Sequence, residues 1–290
     1  MKLFNSKKSV VSEQKVDGNR HLPLGSLLQN KFLILCVVVF VISLLIFVTT
    51  MIRETNDNKA LESQQTKLYE DMQMATENSN EIVENKMLPE YKALYEQNDE
   101  FIGWLKIEDT VINYPVMQCL EDENFYLSHD FYKAENSNGC LILDNDSKAG
   151  VGTRANEYVS SSKPSTNLII HGHTMKSGQM FGDLKLYKDK EYGLSHKIIY
   201  FDSLYEKREY ELISVFYSQV YYEEDDVFKY YKFFQANSQE EFDEWYNNIK
   251  EMSLYDTGVI SEYGDEFITL SCCAYHVEDG RFVVVGKRIK

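Results

Sequence analysis

The sequence predicts a mainly β domain, a barrel or sandwich of short strands, attached to a membrane by one N-terminal helix. Three observations carry this. The chain beyond Leu88 holds many short runs dense in β-branched and aromatic residues, without the alternating helices of a parallel α/β sheet. Residues 32–52 form one uncharged apolar run. The 290 residues are 43% hydrophobic and 13% aromatic, enough for one sizeable core or two small ones, which excludes disorder throughout.

The apolar run, "FLILCVVVFVISLLIFVTTMI", has 21 residues with only Ser43, Thr49 and Thr50 as polar interruptions. As a helix it is about 31 Å long, the thickness of a bilayer's hydrocarbon core. A cleaved signal peptide needs a shorter apolar region and a small-residue cleavage site, and "TTMIRET" offers none, so a retained signal-anchor is expected. Residues 1–31 carry Lys2, Lys7, Lys8, Lys15, Arg20 and Lys31 against Glu13 and Asp17. That positive flank is expected to stay in the cytoplasm as a tail. The whole chain has a formal charge of −16, so everything beyond the anchor is strongly acidic and nucleic acid is not an expected partner.

Residues 53–87 are polar and sustain no heptad, with a weak helical recurrence at Leu61, Leu68 and Met72, and read as a solvated extracellular stalk. Composition shifts near Leu88, and residues 88–290 read as the functional domain. A leading amphipathic helix is expected around Pro89 to Asn98. Strands are expected at "GWLKI", "VINYPV", "CLILD", "NLIIH", "KIIYF", "REYELISVFYSQV", "EFITLSCC" and "RFVVVGKRI". One late helix interrupts them in "SQEEFDEWYNNIKEM", where Ser238 and Glu241 form a capping box and Phe242, Trp245, Tyr246 and Ile249 form an apolar stripe. That stripe is a packing face. The acidic run "YYEEDDVF" reads as a solvated loop in preference to a calcium site, and no repeat or Gly-rich phosphate loop is present.

The five cysteines, Cys36, Cys119, Cys140, Cys272 and Cys273, are too few for a disulfide framework and lack metal-ligand spacing, so no metal or cofactor is expected. Cys272 and Cys273 are adjacent in "FITLSCC". Strand alternation puts Ile268, Leu270 and Cys272 on one face and Phe267, Thr269, Ser271 and Cys273 on the other. Cys272 therefore reads as a small buried hydrophobe and Cys273 as a thiol at the end of the more polar face. An antiparallel hairpin through "AYHVEDG" brings Arg281 beside Cys273 and gives an anion there a guanidinium partner. Of six histidines, the best placed for acid–base work lie in "NLIIHGHTMKSGQMFGDL", where a buried-looking strand runs into His171, Gly172 and His173.

With these residues in view, the chain resembles the sortases, membrane-anchored cysteine transpeptidases of Gram-positive bacteria, and particularly class B. "TLSCC" matches the signature around their nucleophile with Thr269, Leu270 and Cys273, "GRFVVVGKRI" supplies Arg281, and "GHTMKSGQMF" reproduces the class B histidine segment at His173. "NDEFIGWLKIEDTVINYPVMQ", "NFYLSHDF" and the helix-bearing insert before the Cys strand also look like class B. The resemblance covers about Leu88 to Lys290. It departs in two places: Cys272 stands where the family usually has Thr, and Ala274 and Tyr275 stand where class B members can carry an Asp that orients the histidine.

The resemblance implies a sortase-type closed β-barrel with an N-terminal helix, and the catalytic residues His173, Cys273 and Arg281. It implies cleavage of a C-terminal sorting motif on a secreted surface protein, and transfer of the acyl group to an amine of a peptidoglycan precursor, at the outer face of the cell membrane. Three alternatives stay open at this point, one of them a non-catalytic surface binding protein, which would tolerate Cys273→Ala without loss. A cysteine peptidase would hydrolyse without an amine, and a pilin-polymerising sortase of another class would usually carry a lid segment and a second C-terminal hydrophobic segment, neither of which is evident.

Overall fold

The computed structural model describes residues 24–77, 87–150 and 163–290. The basic tail expected in the cytoplasm lies outside them up to residue 23, as does the end of the expected stalk, 78–86. The chain divides into two compact units, Met1–Arg53 and Glu54–Lys290.

In the first unit the apolar run lies within helix α1 (Leu24–Glu77) and is exposed along its length. The run is long and apolar enough to cross a membrane. Its polar interruptions are satisfied within the helix: Thr49 donates to the carbonyls of Leu45 and Ile46, and Thr50 to that of Ile46. Such internal bonding is what a hydrocarbon surrounding demands of a hydroxyl.

In the second unit eight strands close into a barrel. They are β1 (Phe101–Lys106), β2 (Asn113–Met117), β3 (Leu141–Leu143), β4 (Asn167–Gly172), β5 (Ile198–Ser203), β6 (Glu209–Gln219), β7 (Phe267–Cys273) and β8 (Gly280–Arg288). Their order around the barrel is β1-β2-β3-β4-β7-β8-β6-β5, with β5 returning to β1. Each strand overlaps a run expected from the sequence, with ends that differ by at most two residues, because β-branched and aromatic side chains fit the pleated surface and point alternately to its two faces. Alternation is plainest in β5, where Ile199, Phe201 and Ser203 are buried and their neighbours only partly so. Bulges in β1 and β6 curl the sheet. Closure also needs Gly103, since a Cβ there would strike the carbonyl of Asp202 on β5.

Inward-facing residues of all the strands, among them Leu105, Tyr114, Leu168, Ile170, Ile268, Leu270, Cys272 and Val284, form the central core. The helices that follow α1 are α2 (Pro89–Tyr95), α3 (Lys190–Ser195) and α4 (Gln239–Glu251), the last lying outside the barrel and capped by Ser238, whose side chain accepts from the Glu241 amide. Its stripe of Phe242, Trp245 and Ile249 covers Phe267, Val283 and Val285. Burial of each such side chain stabilises by about 1.5–3 kcal/mol.

Two elements differ from expectation. The leading helix α2 spans Pro89–Tyr95 and stops short of Asn98, whose buried amide instead donates to Tyr126 Oη and to the Phe131 carbonyl. A side chain with strong local hydrogen-bonding alternatives terminates a helix readily. The recurrence at Leu61, Leu68 and Met72 is also more than a solvated face. Leu61 joins the central core, Leu68 is fully buried beside Tyr91, Leu94 and Trp104, and Met72 packs against that cluster. Gln65 donates to the Asn113 carbonyl and the Lys67 ammonium sits over the Tyr132 ring. This part of the segment read as a spacer is thus a packed element of the barrel unit; three apolar side chains were too sparse a signal to announce it.

Candidate active site

The site is assembled by one strand pairing. Strands β4 and β7 lie parallel with Gly172 opposite Cys272, so the two chain exits, His173 and Cys273, leave the barrel at the same end. Strand β8 runs antiparallel on the other side of β7, with Arg281 directly opposite Cys273. A hydrogen bond of 2.6 Å from Thr174 Oγ1 to the Cys273 carbonyl ties the exits together. His173, Cys273 and Arg281 then line one cleft of about 320 Å³ with Leu127, Asp144 and His171. A larger groove of about 740 Å³ between α1 and the β1–β2 hairpin holds no thiol or imidazole, so size alone does not pick the reactive site.

Strand alternation separates the two thiols as expected: Cys272 is buried and Cys273 exposed. Burial pushes the Cys272 thiol up to about 11, opposed by a hydrogen bond from Thr174, so it stays protonated and inert at neutral pH. The face of β7 that ends in Cys273 is not open to solvent along its length, however. Phe267 lies under Trp245, Thr269 donates to Asn167 Oδ1, and Ser271 pairs with Tyr230 Oη at 2.7 Å. Only the last residue emerges, because α4 and its flanking loops cover the rest.

His173 is oriented by the backbone. Its Nε2 lies 2.7 Å from the carbonyl oxygen of Leu127, in the 3-10 turn Phe125–Leu127. A carbonyl only accepts, so Nε2 carries the proton and Nδ1 is the nitrogen left for exchange. The position after the thiol that can hold an orienting Asp in class B is thus served by a peptide group from elsewhere in the chain. "NFYLSHDF" contained this residue, but a main-chain acceptor leaves no side-chain signature in sequence.

Arg281 makes its side-chain hydrogen bonds from Nη1 to the carbonyls of Asp279 and Gly280, at 3.1 and 3.0 Å. It does not pair with the carboxylates of Glu278 or Asp279 among the described contacts. His171 also sits in the cleft, with its Nε2 at 3.1 Å from Asp144 Oδ2. Neither Asp144 nor that pairing was legible in the sequence, since the two residues meet only through the β3–β4 pairing. Among the described residues no group of three or more His, Cys, Asp or Glu is placed to hold a metal ion.

An exposed thiol, an imidazole with one nitrogen fixed and a guanidinium on the neighbouring strand are the equipment for acyl transfer through a thioester. No family model matches the chain. Sortase B of Listeria monocytogenes is 31% identical over 209 residues, which cover 71% of this chain and 77% of that protein. The Staphylococcus aureus sortase B–substrate complex superposes with a TM-score of 0.66 at 25% identity, covering 81% of this chain and 98% of that one. A sortase B complexed with triglycine does so with the same TM-score and identity over 80% and 99%. With 31% identity over 77% of the Listeria protein, and with the fold shared with the solved sortase B structures, the chain belongs to the sortase B family.

Proposed function

We propose that the chain is a cysteine transpeptidase that cleaves a sorting motif near the C-terminus of secreted proteins and joins the new acyl end to an amine of a peptidoglycan precursor. The observation that carries this reading is the juxtaposition of Cys273 with Arg281 across β7–β8 and with the His173 exit of β4. Sortase B structures with a substrate and with triglycine support it by example, the tripeptide offering a free amine.

In the first step Cys273 gives its thiol proton to His173 Nδ1, and the thiolate so formed attacks the carbonyl carbon at the scissile bond. Arg281 donates from Nε or Nη2, which have no other partner among the described residues, to the oxygen that gains charge. The C–N bond breaks, the leaving amine takes the proton from His173 Nδ1, and a thioester remains. In the second step an acceptor amine attacks the thioester and gives a proton to Nδ1. The C–S bond breaks and the thiolate returns. The apolar segment of α1 serves as a single-pass anchor, with the positive flank in the cytoplasm and the barrel unit outside, where both substrates are.

The test is incubation of the full chain with a library of sorting-motif peptides, with and without an amine acceptor, read by mass spectrometry. A thioester on Cys273 and an amine-dependent ligated product are expected. Hydrolysis at the same rate with and without amine would overturn transfer in favour of a peptidase, and the absence of any adduct on Cys273 would overturn both.

A further inference from the structure

The group that fixes His173 leads away from the cleft to helix α1. Its acceptor, the Leu127 carbonyl, abuts Gly139, which has φ +60. A Cβ at Gly139 would come within 2.8 Å of the Leu127 oxygen and 2.9 Å of its carbonyl carbon, and would strike the Tyr126 oxygen. The turn that ends at Gly139 is bonded to the same backbone. Cys140 N donates to Tyr126 O at 2.8 Å and Asn136 N to Ser128 O at 2.9 Å, and Gly139 N closes the turn onto Asn136 O. The two turns therefore move as one body.

That body is held by α1. The carboxylate of Asp57 accepts from both the backbone N–H and the hydroxyl of Ser137, and its carbonyl accepts from Asn136 Nδ2 at 3.2 Å. Lys67, farther along the same helix, lies 4.7 Å from the ring centroid of Tyr132 in the same loop. Doubly charge-assisted anchoring of this kind is stronger and more directional than a neutral contact.

We propose that Asp57 is a positioning residue for acyl transfer. Acting through Ser137 and Gly139, it sets the Leu127 carbonyl, and that carbonyl sets the tautomer and ring orientation of His173. The helix segment that follows the apolar run is then part of the catalytic apparatus, although it touches no substrate. The inference rests on the reading of Cys273 and His173 as the reacting pair.

The test uses the full chain in detergent micelles, labelled with nitrogen-15 at histidine, with the His173 signals identified by their loss in His173→Gln. Wild type should show a single tautomer protonated at Nε2. Asp57→Ala should populate both tautomers and slow single-turnover acylation by roughly 10- to 100-fold with peptide KM unchanged, the scale expected when a reacting group is displaced by about 1 Å. Asp57→Asn, which still offers an oxygen to Ser137, should recover most of the rate and the single tautomer. Wild-type rate, or an unchanged imidazole spectrum with a lowered rate, in Asp57→Ala would overturn the proposal. If Asp57→Ala does not fold, Ser137→Ala is read by the same criteria, a shift in tautomer population supporting and an unchanged spectrum overturning. Failure of wild type to form a thioester would defeat the transpeptidase reading alone, because the imidazole spectrum decides the Asp57 linkage without any turnover.

Discussion

Arg281 stands opposite Cys273 in the β7–β8 register, and both of its Nη1 hydrogen bonds go to carbonyls of its own hairpin, at Asp279 and Gly280. The guanidinium is thus braced from behind, with the remaining N–H groups free to meet a developing oxyanion. A lysine cannot be braced and donate in this way, because its ammonium is a point charge on a flexible stem. Arg281→Lys should therefore lose nearly as much as Arg281→Ala. The loss should fall on acylation and leave peptide affinity largely unchanged, since the interaction strengthens only in the transition state. Single-turnover acylation of Arg281→Lys at the wild-type rate would remove Arg281 from the mechanism.

His173→Gln retains a donor that can reach the Leu127 carbonyl but cannot exchange a proton, so it separates orientation from acid–base chemistry. The variant is expected to fold normally and to turn over about 10²- to 10⁴-fold more slowly than wild type. Circular dichroism together with acylation kinetics measures both. A rate within a few-fold of wild type would mean that His173 only shapes the cleft.

For the two thiols, Cys273→Ala should abolish thioester formation while Cys272→Thr should retain it, because Cys272 is buried in the core and Cys273 is exposed. Mass spectrometry of an alkylated native sample should find the label on Cys273 and not on Cys272. Loss of activity in a well-folded Cys272→Thr would contradict the division of labour.

Burial of Cys272 also makes a pH prediction. Its thiol is held up at about 11, against an unfolded value of about 8.5, so the folded chain keeps the proton where the unfolded chain loses it. The associated stability is fully present below pH about 8.5 and is lost as pH rises from there towards 11. The slope is at most about 1.4 kcal/mol per pH unit for this one proton. Urea denaturation between pH 8 and 11 should show a shallower decline for Cys272→Val than for wild type. Parallel pH curves for the two proteins would show that Cys272 contributes no linked proton.

The insert helix has a purely structural expectation. Trp245 stacks on Phe233 and meets Phe267 of β7 edge-on at 4.7 Å, so Trp245→Ala should cost about 3–5 kcal/mol by opening a cavity over the strand that ends in Cys273. A loss below about 1 kcal/mol in denaturant titration would show that α4 is dispensable to the barrel.

The elements of this protein were legible in its sequence because they are local. Short runs dense in β-branched and aromatic residues mark the barrel strands, the Ser238 capping box and the Phe242–Trp245–Ile249 stripe mark α4, and alternation alone tells Cys272 from Cys273. The short hairpin loop likewise put Arg281 beside Cys273, since seven residues leave antiparallel strands little freedom. What the chain's pattern does not carry is the parallel pairing of β4 with β7, which brings His173 level with Cys273 from far along the chain. Nor does it carry the Leu127 carbonyl on His173, the Asp144–His171 pair or the seating of Asp57 on Ser137. Each of these joins segments whose approach is fixed by closure of the barrel and by burial of Leu61 and Leu68, and a backbone acceptor looks the same at every residue. Candidate residues, and which face of a strand each occupies, can therefore be read along the chain; which of them meet cannot, because long-range pairing is set by the packing of the whole core.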